Sequence, residues 1–325
     1  MRSHVLPGLA ALLLAATGCP PAADTADEPQ PGALMAGFSR ARIPAPVGIG
    51  TAGYGPADVD SESPYSEIYP ATTTIHGHPA IKVAVLSRGE GFEQVFINWD
   101  AIGVFQQLRI ALVHELEDRL GRPMDDVVVW GATHTHAGPG RVVDAGGPFD
   151  FIADKFFPEF YELLMDTVAD QVEAAYADLQ PARLGHVIAY APEGHDDRRC
   201  EDGGADYTNS AIPVVAVERN GQIDGVLMAY AIHGTALDAD ALTLSGDVAG
   251  AIEEAVADGF DYPVHVSMFD SWGADMSPST PEFEAQEGAE MLDGYDKVEQ
   301  VGRSVAEQVH DALGELELGP NPLKR

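Results

Sequence analysis

Short runs of β-branched and aromatic residues alternate with leucine-spaced segments along most of this chain, and that alternation confines it to the α/β class. Lys82–Leu86 and Gln94–Trp99 are too short for helices and rich in Val, Ile and Phe, so they predict strands. Residues 104–120 repeat Leu108, Leu112, Leu116 and Leu120 at helical spacing, and Gly121 stands where a helix stops. A strand over Asp126–Thr133 carries almost no polar residues, which predicts burial on both faces. A long helix over about Glu159–Leu179 follows, then strands near Arg183–Tyr190, Ile212–Glu218 and Gly225–Ile232. Ser245 is placed to cap a helix running to about Asp258, Val264–Phe269 reads as a further strand, and Tyr295–Leu316 as a last amphipathic helix. The expected fold is a single α/β domain, a mixed β-sheet sandwiched by helices, with some neighbouring strands paired as antiparallel hairpins.

Charge narrows the partners. The 325 residues hold 18 Lys+Arg against 52 Asp+Glu, a formal net charge of −34. Binding nucleic acid needs clustered Lys and Arg to neutralise phosphates, so no nucleic-acid partner is expected. Anionic membrane surfaces are repelled as well, although capture of lipid through apolar contacts stays open. A hydrophobic fraction of 45% suffices for a core. Two cysteines cannot build a disulfide framework.

Residues 1–18 read as a signal peptide: Arg2 provides the positive start, Leu9 to Ala16 the apolar run, and Ala16-Thr17-Gly18 the small residues before Cys19. The run is shorter than the ~20 residues a bilayer span needs. Small residues directly before a lone cysteine are similar to a bacterial lipobox, which makes Cys19 a lipidated residue; an ordinary cleaved signal is the alternative. Residues 19–34 then form the lipidated start and a Pro-, Asp- and Ala-rich tether, ahead of a folded body over 35–325. The location this implies is across the inner membrane, lipid-anchored, in the periplasm or at the cell surface.

Polar clusters follow three of the predicted strands, where α/β proteins place their sites. The first is Gly131-Ala-Thr-His134-Thr-His136-Ala-Gly138-Pro-Gly140. Two histidines two residues apart on extended backbone point to one side, so they can share a metal or divide ligand and acid/base roles; a polar loop bonding its own backbone is the alternative. The second is His233-Gly-Thr235 with Leu244-Ser-Gly-Asp247. The third is Asp270-Ser-Trp-Gly-Ala-Asp275-Met-Ser277-Pro278, in which Ser277 can be a nucleophile, a hydrogen-bond donor to substrate or a turn residue. Arg198 and Arg199 are an adjacent basic pair suited to an oxyanion, carboxylate or phosphate, or else a surface pair among Asp196, Asp197 and Glu201. No P-loop, Gly-x-Gly-x-x-Gly, Gly-x-Ser-x-Gly or His-Glu-x-x-His motif is present, which disfavours nucleotide chemistry, unaided serine hydrolysis and the common zinc-protease helix.

Taken in order, these segments resemble the neutral ceramidase family, zinc-dependent hydrolases of the N-acyl amide bond of sphingolipids. The resemblance rests on Gly37-Phe-Ser-Arg-Ala-Arg-Ile-Pro with Gly53-Tyr54, on Ile75-His76 and Val95-Phe-Ile-Asn-Trp-Asp100, and on Thr133-His-Thr-His-Ala-Gly-Pro-Gly140. It continues through His233-Gly-Thr, Leu244-Ser-Gly-Asp247 and Trp272-Gly-Ala-Asp-Met-Ser-Pro278. It implies that His134 and His233 ligate Zn2+, and that His136 and Arg198 (with Arg199 as the fallback) are polar groups of the active site. Ser277 takes the essential serine position, as nucleophile or as substrate-orienting group. The substrate implied is a ceramide-like sphingolipid, split to fatty acid and sphingoid base. The family's remaining zinc ligands, a Glu and a Tyr, lie downstream of the serine segment and find no counterpart before Arg325. The chain therefore reads as a truncated member, or Asp247 or Asp270 completes the site, or catalysis is lost. Two other functions fit the same residues: a metal-dependent amidohydrolase of another substrate, and a non-catalytic surface lipoprotein on a degenerate ceramidase scaffold.

Overall fold

A computed structural model of the chain describes residues 32–89, 91–144, 146–199, 209–279 and 294–316. The signal, Cys19 and all but the end of the tether lie outside the described residues. Among the described residues no helix is long and apolar enough to cross a membrane.

Eight strands form one mixed sheet. In chain order they are β1 (Met35–Arg42), β3 (Ala80–Ser87), β4 (Glu93–Trp99), β5 (Val128–Ala132), β6 (Gln180–Tyr190), β8 (Ala211–Arg219), β9 (Gln222–Tyr230) and β11 (His265–Asp270). Across the sheet the order is β11-β9-β8-β6-β1-β3-β4-β5. The central pairs are antiparallel, whereas the outermost pairs β4–β5 and β9–β11 are parallel. Parallel neighbours need a crossover, and each has a helix: α1 (Gln106–Leu120) and α4 (Asp247–Asp258). The β8–β9 hairpin turns on Asn220-Gly221, both at positive φ (55° and 85°), the backbone that a tight two-residue hairpin requires.

Two helical layers cover the sheet. Leu108, Leu112 and Leu116 of α1 pack with Leu164, Val168 and Val172 of α3 (Pro158–Ala177) on Ile81, Val83, Ile97 and Trp99. Gly121 ends α1 in the left-handed conformation, its N–H bonded to the Glu117 carbonyl. On the other half, Val248, Ile252 and Val256 of α4 pack with Val301, Val305 and Val309 of α5 (Gly294–Gly314) on Val214, Val226 and Met228. A one-turn helix α2 (Asp150–Ala153), two 3-10 turns (Gly147–Phe149 and Ala239–Ala241) and short strands β2 (Thr74–Ile75), β7 (His195–Asp197), β10 (Thr243–Leu244) and β12 (Met276–Pro278) complete the described elements. The single domain is thus a large mixed sheet with helices, as the alternation of patterns predicts.

The sheet curls until its outer strands approach each other, and this is what assembles the site. On β11, the Met268 carbonyl accepts the Asn98 amide of β4 (2.5 Å) and the Met268 N–H donates to Glu253 (2.8 Å). A β-carbon on Gly131 of β5 would fall 2.5 Å from the Phe269 ring. The sequence expectation for β5 needs correction: it is an edge strand, and Val129 is 43% exposed rather than buried. Apolar composition alone does not separate a two-sided interior strand from an edge whose outer face meets water.

Candidate metal centre

The loops that follow β5 and β9 are joined backbone to backbone. Thr135 and Gly234 form an isolated parallel bridge, and the His136 N–H donates to the Gly234 carbonyl at 2.9 Å. A β-carbon on Gly234 would lie 2.6 Å from Thr135 Cα, so only glycine lets the loops meet. Gly138 presses equally close on the Asp100 carbonyl (2.6 Å), and Gly140 on the carbonyls of Thr51 and Ala153. The histidine loop is therefore wedged between fixed backbone on three sides.

That wedge brings His134, His136 and His233 together. One donor atom from each lies within 4.8 Å of the others. Ring centroids are 5.3 Å apart for His134–His136, 4.7 Å for His134–His233 and 4.8 Å for His136–His233. Convergence does not come from extended backbone, as the spacing suggests. The strand stops at Ala132, and His134 sits in the left-handed region (φ 59°), so the chain turns the two rings inward.

Hydrogen bonds set the tautomers. His134 Nδ1 is 2.6 Å from the Ile102 carbonyl oxygen, which can only accept, so Nδ1 carries a proton and Nε2 is the nitrogen left to coordinate in the neutral tautomer. His233 Nδ1 faces the Gly273 carbonyl at 3.3 Å in the same sense. Such carbonyl partners behind an imidazole are what orient metal-ligating histidines. His136 differs: both of its ring nitrogens are buried without a hydrogen-bond partner. Burial pushes the His136 imidazole down to about 3, helped by His233, His134 and Arg198; burial likewise pushes His233 down to about 4, with His134 and Arg198 adding. Both rings are neutral at pH 7 and have lone pairs to give. Three converging imidazoles, one with no hydrogen-bond partner for either nitrogen, fit a borderline ion of the zinc class.

The other sequence candidates fall around this group. The serine segment packs on the His233 loop: the His233 N–H donates to the Met276 carbonyl (2.8 Å), and Ser277 follows on β12, paired with Asp196 of β7. Arg198 is held by its Nη2 on the Ala274 carbonyl (2.6 Å) and its N–H on the Asp275 carbonyl (3.0 Å). Its charge acts on His136, His233 and Tyr54, whereas Arg199 acts on His233 and more weakly than Arg198. Asp247 and Asp270 stand outside the three-histidine group. The Asp247 carboxylate accepts the N–H groups of Ala236, Leu237 and Val248, and burial still pushes it up to about 6. Burial raises the Asp270 carboxyl to about 7. Among the described residues neither acid joins the group of three histidines whose donor atoms converge.

Sequence reasoning had little hold on the neighbours of His136. The Tyr54 ring packs against it tilted by 59°, centroids 4.6 Å apart, while its hydroxyl donates to the Leu237 carbonyl (2.5 Å). Gly53 lies at φ 118°, and a β-carbon there would fall 2.5 Å from His136 Nδ1. A narrow cleft beside these groups is lined by Thr51, Tyr69, Thr72 and Asp238 among others.

Comparison with known proteins settles the family. The sequence model described as "Neutral/alkaline non-lysosomal ceramidase, N-terminal" matches residues 65–281. The chain belongs to the neutral/alkaline non-lysosomal ceramidase family. Among relatives, neutral ceramidase A of Dictyostelium discoideum is 22% identical over 194 residues, 55% of this chain and 27% of that protein. Neutral ceramidase of Mycobacterium tuberculosis is 29% identical over 167 residues, 46% of this chain and 26% of that protein. The crystal structure of neutral ceramidase from Pseudomonas aeruginosa superposes with a TM-score of 0.75 at 19% identity, covering 88% of this chain and 46% of that one. A likeness at that identity shows the ceramidase fold. The chain spans about a quarter of the length of the two curated relatives named here, and under half of the solved structure.

Proposed function

We propose that this chain is a zinc-dependent hydrolase of the N-acyl amide bond of ceramide-like sphingolipids. The observation that carries the reading is the three-histidine group itself, with two of its rings backed by carbonyls and both His136 nitrogens buried without a hydrogen-bond partner. Membership of the ceramidase family supports the reaction class, and a related fold is known as a ceramidase complexed with C2, which supports the substrate class. His134, His136 and His233 would hold the ion, giving His136 a ligand role that the sequence resemblance assigns only to the other two. When bound, Zn2+ supplies Lewis acidity for an amide carbonyl and acidifies water.

The chain's own groups do the rest. The carbonyls of Ile102 and Gly273 keep the imidazoles of His134 and His233 aimed. Arg198 brings positive charge beside the centre, suited to the oxyanion of a tetrahedral intermediate and then to the released carboxylate. Ser277, next to the residue that anchors His233, attacks or orients the acyl group. Lipidation at Cys19, with a periplasmic or surface location, belongs to the same proposal as the means of holding the site near its lipid, and palmitate labelling of wild type against Cys19→Ser tests it.

The test is zinc content of the purified chain by elemental analysis, beside His134→Ala, His136→Ala and His233→Ala, followed by release of sphingosine from N-acyl-sphingosine. About one zinc per chain, lost in each variant, supports the metal centre, and turnover supports the hydrolase. Zinc retained without turnover of any amide points to the non-catalytic scaffold; turnover of other amides alone points to the wider amidohydrolase reading.

A further inference from the structure

One histidine loop follows β5 at an edge of the sheet and the other follows β9, one strand in from the far edge, and something has to hold them as one ligand set. We infer that Asp247 is a positioning residue for the metal centre, bracketing the His134/His136 loop to the His233 loop; this rests on reading the three histidines as that centre. Asp247 opens α4 with φ 51°, a left-handed backbone that glycine adopts freely and a buried aspartate adopts under strain. The side chain explains its presence. Oδ1 accepts the N–H of Ala236 (3.1 Å) and of Val248 (2.6 Å), and Oδ2 accepts the N–H of Leu237 (3.0 Å). The carboxylate thereby fixes the turn that follows His233.

The other arm of the bracket runs through Ser245. Its Oγ accepts the Asp247 N–H (2.9 Å), its own N–H donates to the Ala137 carbonyl (2.9 Å), and its carbonyl accepts the Thr135 hydroxyl (3.1 Å). The sequence casts Ser245 as the cap of α4; in the structure Gly246 holds the cap position and Ser245 instead joins Asp247 to the residues flanking His136. The far side of the turn closes the loop, because the Leu237 carbonyl accepts the Tyr54 hydroxyl and the Tyr54 ring lies on His136. Asp247 thus touches backbone on the His233 side and, through Ser245 and Tyr54, reaches both faces of the His136 loop without contacting any imidazole.

Asp247→Gly and Asp247→Asn in the full chain separate this role from simple helix capping. Glycine removes the carboxylate and relieves the strain; asparagine keeps the shape and tolerates the same φ but replaces one acceptor oxygen with an NH2 donor facing backbone N–H. Three readouts apply: the Zn2+ dissociation constant by chelator competition, amide hydrogen exchange of His136 in metal-free protein, and the thermal midpoint. Both variants are expected to bind Zn2+ about 10–100-fold more weakly, as loss of an orienting partner does. The His136 amide, bonded to Gly234 across the bracket, should exchange about tenfold faster, while Asp247→Gly melts close to wild type. Wild-type zinc affinity and wild-type His136 protection in Asp247→Gly would overturn the inference and leave Asp247 as a cap of α4. If the wild type itself binds no Zn2+, the metal reading falls, and the exchange measurement alone decides whether the bracket exists.

Discussion

Lys82 offers a demanding test of how the curled sheet is held. Its ammonium is fully buried, 2.6 Å from Asp100 Oδ1 and 2.7 and 2.9 Å from the two oxygens of Glu253. Asp100 also takes the Ala80 N–H (2.8 Å), and Glu253 takes the Met268 N–H, so the three charges tie β3 and α4 to the returning strand β11. Lys82→Met keeps much of the stem and removes the charge, leaving two buried carboxylates without their cation. Breaking a buried pair in this way costs about 3–5 kcal/mol. For a domain of this size that lowers the midpoint by roughly 6–10 °C.

The pH dependence sharpens the test. Burial pushes Glu253 from 4.5 up to about 7, with Lys82 opposing. A carboxyl raised on folding gives stability that is full below about 4.5 and lost as pH climbs toward 7, because the native state holds the proton longer. Without Lys82 nothing nearby opposes the desolvation as strongly, so the loss continues to higher pH. The gap in midpoint between wild type and variant should widen from about pH 5 to about pH 8, read by thermal circular dichroism at both. A variant as stable as wild type at the higher pH, or a gap widest at the lower, would refute the reasoning.

Gly53→Ala should lower zinc affinity at least about tenfold, since the added carbon meets His136 Nδ1 and the backbone sits at positive φ; chelator competition reads it, and unchanged affinity counts against the packing described. Gly234→Ala forces apart two backbones that touch, so both zinc content and thermal stability should fall together, measured on one preparation. Leu112→Ala opens a void between α1 and the sheet and should cost about 2–5 kcal/mol by denaturant titration, with bound zinc per folded chain unchanged.

Much of the fold was readable because local pattern decides it. Leucine spacing over 104–120, the Gly121 stop and the short apolar runs each depend on residues near in sequence, and each element formed close to where the pattern put it. The edge position of β5 was not readable, since which neighbour a strand finds is settled by residues far away. Lys82 gave no sign of burial either. A charge inside is tolerable only beside Asp100 and Glu253, and Glu253 arrives 171 positions later.

The site divides along the same line. By itself the sequence determined the chemistry on offer: imidazoles at 134, 136 and 233, an arginine pair, a serine, and glycines where chains must touch. Order and motif content also carried the family resemblance. Only tertiary structure decided that His136 joins the other two, that Ile102 and Gly273 orient them, and that Asp247 spends its oxygens on backbone rather than on an ion. The reason is distance. Donor atoms of the three imidazoles come within 4.8 Å of one another only because the sheet curls far enough to bring the loops after two remote strands into backbone contact.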